Sequence, residues 1–299
     1  MRSSALVLLG LVFVATTVRA ETGNLFVTLS AREIHQYSPT GADLGTFLTA
    51  ESGTIFSGVA FDSTGNLYVG DPSLNRIRKF SSTGTDLGVF ANTGLNQPAG
   101  MRFDSGGNLY VANLNGANVR KFSPTGVDLG IVASVPNESL RDVAFDQDGN
   151  GYVAGVGAIW KFSPTGADLG QFSFIGPLIE GIEFGPNGHL FVAGHLGPIY
   201  ELDSTGQNIN TFASIDFGAM GIAFDSSGNL YVARQAHMPG IDSSIEKFGP
   251  TGQSLGAVGQ TSLVPVWMAF APVPEPSTAA LFALGAILSS VRYARRAKT

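Results

Sequence analysis

Apolar and polar residues alternate along this chain in short runs that end at Gly-, Asn-, Asp- or Pro-containing turns. Gly-Asn-Leu-aromatic-Val, or a close variant, begins at Gly23, Gly65, Gly107, Gly149, Gly188 and Gly228, so successive copies lie 42, 42, 42, 39 and 40 residues apart. A period near 40 built from strand-like pieces predicts propeller blades. Each repeat divides into four segments. Segment a is exemplified by Val59–Asp62, b by Asn66–Val69, c by Ile77–Phe80 and d by Leu87–Phe90. In b, Leu67 and Val69 face one way and Tyr68 the other, so both faces are apolar, as in a sheet covered on each side. In a, tiny Ala60 alternates with Val59 and Phe61, which suits a crowded innermost strand. The a–b turn Asp62–Asn66 uses Gly65 for positive φ, and the c–d turn Ser38–Asp43 uses Pro39 at its second position.

Counting the copies predicts how the ring closes. The first b, at Asn24–Thr28, has no a before it, and the last a, Val266–Phe270, has no b after it. If the last a completes the first sheet, the chain forms an all-β, six-bladed propeller of 24 strands, four to a blade, with no open seam.

The two ends differ in kind from the repeats. Residues 1–20 combine Arg2, an apolar run from Ala5 to Val18 and a small-residue site ending at Ala20, which predicts a secretory signal peptide cleaved after Ala20. Residues 272–299 contain Pro274-Glu275-Pro276-Ser277, an apolar helix at about 277–294 and a basic stop of Arg292, Arg295, Arg296 and Lys298. In an exported chain such a segment halts transfer, with its cations on the cytoplasmic side. The propeller is expected to occupy 21–271.

Composition narrows the class. The chain has 299 residues, 39 Gly, no Cys and 44% hydrophobic residues, so it is neither disordered nor a disulfide scaffold, and it has no thiol nucleophile or Cys-ligated zinc. The full chain carries 17 Lys+Arg against 23 Asp+Glu. The ends hold six of those cations and one of the anions, so the body alone is −11. An acidic body argues against nucleic-acid binding, which needs clustered cations.

Three motifs invite a chemical reading. Asp146-x-Asp148-x-Asn150-Gly151 matches the first half of a calcium loop, but Gly157 stands at the twelfth position and the same slot is a plain hairpin in another blade. Gly252-x-Ser254-x-Gly256 matches a nucleophile elbow, but Ser254 occupies the hairpin slot of Asp43, Asp86, Asp128 and Asp168. His195 and His237 both fall in b–c loops, without the spacing of a helical metal pair. No cofactor is implied.

The a–b and c–d loops share one face and are short and alike. The b–c and d–a loops share the other face and vary, which makes it the candidate binding face. Its candidate contacts are Arg32, Glu33, Asp71, Asn75, Arg76, Asn113, Asn115, Asn118, Arg141, Asp142, Glu180, His195, Arg234, His237, Asp242 and Trp267. Arg102 and Glu183 break a pattern, standing where the other blades have Ala60, Ala144, Ala223 and Ala269.

Two resemblances add to these readings. Gly58-Val59-Ala60-Phe61-Asp62, Gly65-Asn66-Leu67-Tyr68-Val69-Gly70-Asp71 and Asn75-Arg76-Ile77 resemble the NHL repeat over about 21–271, with drift in later blades. The tail resembles the PEP-CTERM sorting signal of exopolysaccharide-forming bacteria. That resemblance implies an exosortase-type processing partner, transient inner-membrane anchoring, and a final place on the cell surface or in the extracellular matrix. The NHL resemblance implies a fold and not a function; the sorting tail, the acidic body and the lack of a convergent catalytic set point to a non-enzymatic propeller that binds polysaccharide or a surface protein. The alternative is a metal-dependent propeller enzyme of the gluconolactonase or streptogramin-lyase type, with Asp142, Glu180, Asn113 and His195 as recruitable channel ligands.

Overall fold

A computed structural model describes residues 23–272, apart from 177, 217 and 237–241. The signal-peptide site at Ala20, His237, the Pro274–Ser277 motif, and the tail helix with its basic stop lie outside the described residues. No helix lies among the described residues, which form six four-stranded antiparallel sheets. Blade 1 joins Leu25–Leu29, Glu33–Tyr37 and Asp43–Thr49 to the C-terminal strand Pro265–Phe270. Blades 2 to 6 follow in order, starting at Val59–Phe61, Pro98–Phe103, Asp142–Phe145, Ile179–Phe184 and Ala219–Phe224.

The closure expected from the repeat count is present. Leu25 pairs with Phe270, Phe26 with Ala269 and Val27 with Met268. Ser30 N–H also donates to the Val264 carbonyl at 2.6 Å, and Ala271 N–H to the Asn24 carbonyl at 2.9 Å. The first strand of every blade touches the first strand of the next, and the last returns to the first, so these strands form the inner ring.

Burial follows radius. The second strand of each blade is buried on both faces, as its two-sided apolar pattern requires. The outer strands are largely exposed. Each third–fourth strand pair carries bulges. Gly88 and its relatives in most blades take φ near +90° there, with no atom close to a built Cβ, and the extra residue raises the twist of the rim. Neighbouring blades are locked by ring contacts. Phe26 meets both Phe47 and Phe61 edge-on, at 4.8 and 4.9 Å between centroids, and Tyr68, Tyr152 and Phe191 repeat the arrangement. Such pairs contribute about 0.5–1.5 kcal/mol each beyond their area.

One turn recurs as a module. The Asp62 carboxylate accepts from Thr64 N–H at 3.0 Å, Asn66 N–H at 2.9 Å, Asn66 Nδ2 at 2.8 Å and the Tyr68 hydroxyl at 3.1 Å. Lys79 then lies 3.5 Å from Asp62 and over the Tyr68 ring. Asp104, Asp146 and Asp225 likewise accept from Asn108, Asn150 and Asn229 and lie near Lys121, Lys161 and Lys247, each lysine over a Tyr ring. Asp146 is therefore filled by Asp148 N–H, Asn150 and Tyr152, and the calcium-loop match is a hairpin turn. Ser254 opens an outer strand and its Oγ accepts from Gly256 N–H at 3.2 Å, so the elbow match is also a strand turn.

Candidate functional site

The axis of the ring is built from two slots on the inner strands. The first is glycine in four blades, at Gly58, Gly100, Gly181 and Gly221. A Cβ at Gly58 would collide with the Ala99 carbonyl, and one at Gly221 would lie 2.6 Å from the Val266 carbonyl. The glycines therefore let adjacent inner strands approach. Asp142 and Trp267 occupy the same slot in blades 4 and 1. The second slot is the Ala position broken by Arg102 and Glu183.

These exceptions meet. Arg102 of blade 3 forms an ion pair with Glu183 of blade 5, and its Nε and Nη2 reach the Val143 and Ile182 carbonyls at 3.4 Å. The Asp142 carboxylate accepts Ile182 N–H at 3.0 Å and Val143 N–H at 2.9 Å, tying blade 4 to blade 5. Burial pushes the Asp142 pKa up to about 6 against the opposing pull of Arg102 and the two N–H groups. Burial likewise raises Glu183. Arg102 and Glu183 keep 28% and 22% of their side chains accessible, so they sit deep in the molecule on a narrow wet axis, not in dry core. The space left among Arg102, Asp142, Trp267 and their neighbours is about 10 Å³, room for a single water.

The varying face holds a second layer of polar pairs. Arg76 Nε lies 2.9 Å from Asp71, and Ser73 also donates to Asp71. Asn113 Nδ2 donates to Asn118 Oδ1 at 2.8 Å, while its own Oδ1 accepts Asn96 N–H at 3.0 Å. Glu180 takes Arg141 at 2.7 Å and His195 at 2.9 Å. Arg234 donates to Ser244 at 3.2 Å.

This changes the reading of the candidate contacts. Asp71, Asn113, Asp142 and Glu180 are buried and act as braces for their loops, since each carboxylate or amide is spent on chain-internal partners. Trp267 lines the small space beside Arg102 and Asp142. Arg76, Asn118, Arg141, His195 and Arg234 are half-buried beside those braces, as is Glu33, which pairs with His35. Arg32, Asn75, Asn115 and Asp242 remain exposed on the face, joined by exposed Leu74, Val156 and Leu196. The apolar members were missed in the sequence because loop position alone does not give exposure. The Arg102–Glu183 pair carried a signal, the broken Ala slot, but not its pairing.

A metal in the channel would need converging donors. Asp142 is turned to backbone N–H groups, Glu180 to Arg141 and His195, and Asn113 to Asn118 and Asn96, so the four residues do not form one ligand set. Among the described residues no group of three His, Asp or Glu could hold a metal ion.

The class defined by fold and site is a six-bladed propeller with a plugged axis. No family model matches the chain, and no curated protein is similar to it in sequence. Solved structures share the fold. A chain of a nidogen/laminin complex matches with a TM-score of 0.73 at 14% identity, over 84% of this chain and 98% of that one. A protein of unknown function from Bacteroides caccae matches with a TM-score of 0.68 at 15% identity, over 83% and 98%. A catalytically inactive virginiamycin B lyase from Staphylococcus aureus, solved with quinupristin, matches with a TM-score of 0.62 at 15% identity, over 85% and 94%. These likenesses establish the fold.

Proposed function

We propose that this protein is an exported, NHL-like propeller whose surface binds an extracellular polysaccharide or a surface protein, without catalysis. The observation that carries the reading is the plugged axis. The space beside Arg102, Asp142 and Trp267 is only about 10 Å³, and the axial carboxylates of Glu183 and Asp142 are engaged by Arg102 and by backbone N–H groups, which speaks against a substrate site there. Recognition then falls to the outer surfaces, where exposed Asn75, Asn115, Leu74 and Leu196 are set on braced loops. Export is supported by the Arg2–Ala20 pattern. Sorting by an exosortase-type enzyme is supported by the order of Pro274–Ser277, apolar stretch and Arg292–Lys298.

Two measurements test this. The full chain, produced in a host with an exosortase, is fractionated and sized, and retention on immobilised envelope polysaccharide is measured. The expected result is surface or medium location, loss of both ends and saturable retention. Hydrolysis of gluconolactone or linearisation of quinupristin by the full chain, with or without added divalent cation, would overturn the non-catalytic reading.

A further inference from the structure

The face that carries the a–b and c–d turns is level. Each c–d turn is closed by a backbone bond between residues four apart, Ser38 to Ala42 in blade 1 and the matching pair in every other blade. Each a–b turn is closed the same way, Asp62 to Asn66 in blade 2 and its counterparts in blades 3 to 6. All these turns have one length, so none projects beyond the rest.

An apolar side chain stands at the rim of this face in every blade. Leu44, Leu87, Leu129, Leu169, Ile209 and Leu255 are the second residues of the six outer strands, directly after the c–d turns, and each is 47–55% exposed. Each is held at the apex of a small turn. The side chain before it accepts the N–H of the residue after it, as Asp43 does from Gly45 at 2.8 Å. One exposed Leu is ordinary, but the same exposure at one slot of six blades is not scatter. Copying of the repeat does not account for it either. In blade 5 both neighbours have changed, to Asn208 and Asn210, while the residue between them stays apolar as Ile209.

Both ends of the propeller open on this same face. In blades 2 to 6 an a–b turn joins the first strand to the second. Blade 1 has no such turn, and Asn24 and Ala271 stand in its place, bonded backbone to backbone at 2.9 Å. Beyond Pro272 the sequence is apolar from Ala279 to Val291 and closes on four cations, the pattern of a segment that halts in a bilayer. Four residues separate Pro272 from Ser277, where that segment is expected to begin, a reach of at most about 18 Å.

We propose that this level face rests on a lipid bilayer while the tail is in place, with the six rim residues entering the headgroup layer of zwitterionic lipid. Six equivalent apolar sites around a ring require a planar partner. A single helix or an irregular protein surface would cover some of them and leave the others in water. Charge selects the lipid. The a–b turn carboxylates are matched by Lys79, Lys121, Lys161 and Lys247, and Asp86 and Asp128 by Arg78 and Arg120. Asp43 and Asp168 stay exposed beside the rim, so an anionic surface would be repelled. The proposal rests on the export reading above and deepens it. With this face down, the varying face points away from the membrane, toward polysaccharide or a surface protein.

The chain has no Cys, so one introduced thiol can be labelled alone. Leu44→Cys, Leu129→Cys and Ile209→Cys report on the rim, and Leu74→Cys on the varying face; all four positions are exposed, so the fold is not at stake. Each full-length variant carries a nitrobenzoxadiazole label and is reconstituted into phosphatidylcholine vesicles, with doxyl-labelled lipid as quencher. The three rim labels are expected to be quenched at least threefold more than the Leu74→Cys label. Replacing half of the lipid with phosphatidylglycerol is expected to reduce rim quenching. So is changing Leu87, Leu169 and Leu255 together to Ser, by at least twofold.

Rim labels quenched no more than the varying face overturn the proposal. So does quenching that the triple change leaves intact, or that rises with phosphatidylglycerol. Pyrene excimer emission from Leu129→Cys that grows with protein density, without lipid quenching, would assign the ring to a second copy instead. A chain that does not float with the vesicles overturns the tail reading and the proposal together. A floating chain with silent rim labels removes the docking face alone and leaves export and anchoring standing.

Discussion

Arg102 and Glu183 meet across the axis of the ring, although they belong to blades 3 and 5, which are not neighbours. Asp142, on the blade between them, adds a second carboxylate that Arg102 feels. One cation thus holds two acids, one buried and one half-buried, at the centre of an acidic body.

Removing that cation is expected to cost more than removing the cluster. Arg102→Ala leaves Glu183 and Asp142 uncompensated and should lose about 3 kcal/mol, the lower end of the range for breaking a buried pair, because the axis is partly wet. Arg102→Ala combined with Glu183→Ala restores the residue found in four other blades and should recover part of the loss. Denaturant unfolding of the three proteins gives the comparison, and a double variant weaker than the single one would contradict it.

Asp142 should make the fold less stable as pH rises. Its pKa is near 6 in the folded chain, above its value of 3.8 when free, so between about pH 4 and pH 6 the folded state binds the extra proton. Stability from this group is then greatest at the acid end of the window and falls as pH climbs through 6. Asp142→Asn should flatten the slope across that window. Urea midpoints from pH 4 to pH 7 for both proteins measure the difference.

The turn carboxylates should act in the opposite sense. Burial raises Asp62, but hydrogen bonds from Asn66 and Thr64 outweigh it and hold the pKa at about 2. Its contribution is complete above pH 4 and is lost as pH falls toward 2. Asp62→Ala removes the acceptor for five donors and should lower stability by about 1–3 kcal/mol at neutral pH, with the deficit shrinking in acid. Thermal melts at pH 7 and pH 3 show whether it does.

Closure should be essential. Truncation after residue 262 removes the strand Pro265–Phe270 and leaves Leu25–Leu29, buried along its length in the intact ring, as an open edge. Such an edge pairs with other chains, so the truncated protein should run as aggregates or oligomers in size-exclusion chromatography. A stable monomer would show that the seam is dispensable.

Much of the fold was legible because its causes are local. Alternation with period two marked the strands, Gly65 and its relatives marked the turns, and the unmatched segments at Asn24 and Val266 announced the seam before any contact was known. The site was legible only in part. Arg102 and Glu183 stood out as breaks in the Ala slot, yet their pairing depends on the curvature of a six-membered ring, which no spacing of residues encodes. Asp71, Asn113 and Glu180 fell on varying loops and read as surface contacts, but each folds back onto a neighbour and is buried. Leu44 and its counterparts recur at one slot of the repeat, but that they stand exposed around one level face is visible only once the six blades close into a ring.

The sequence by itself therefore determined the number of blades, their four strands and the closing strand, because hydrophobic periodicity and glycine conformations act within a few residues. The tertiary structure alone decided which polar side chains are spent on one another and which stay exposed. The pairs on the axis and around Glu180 join residues 39 to 80 positions apart, and only packing chooses those neighbours.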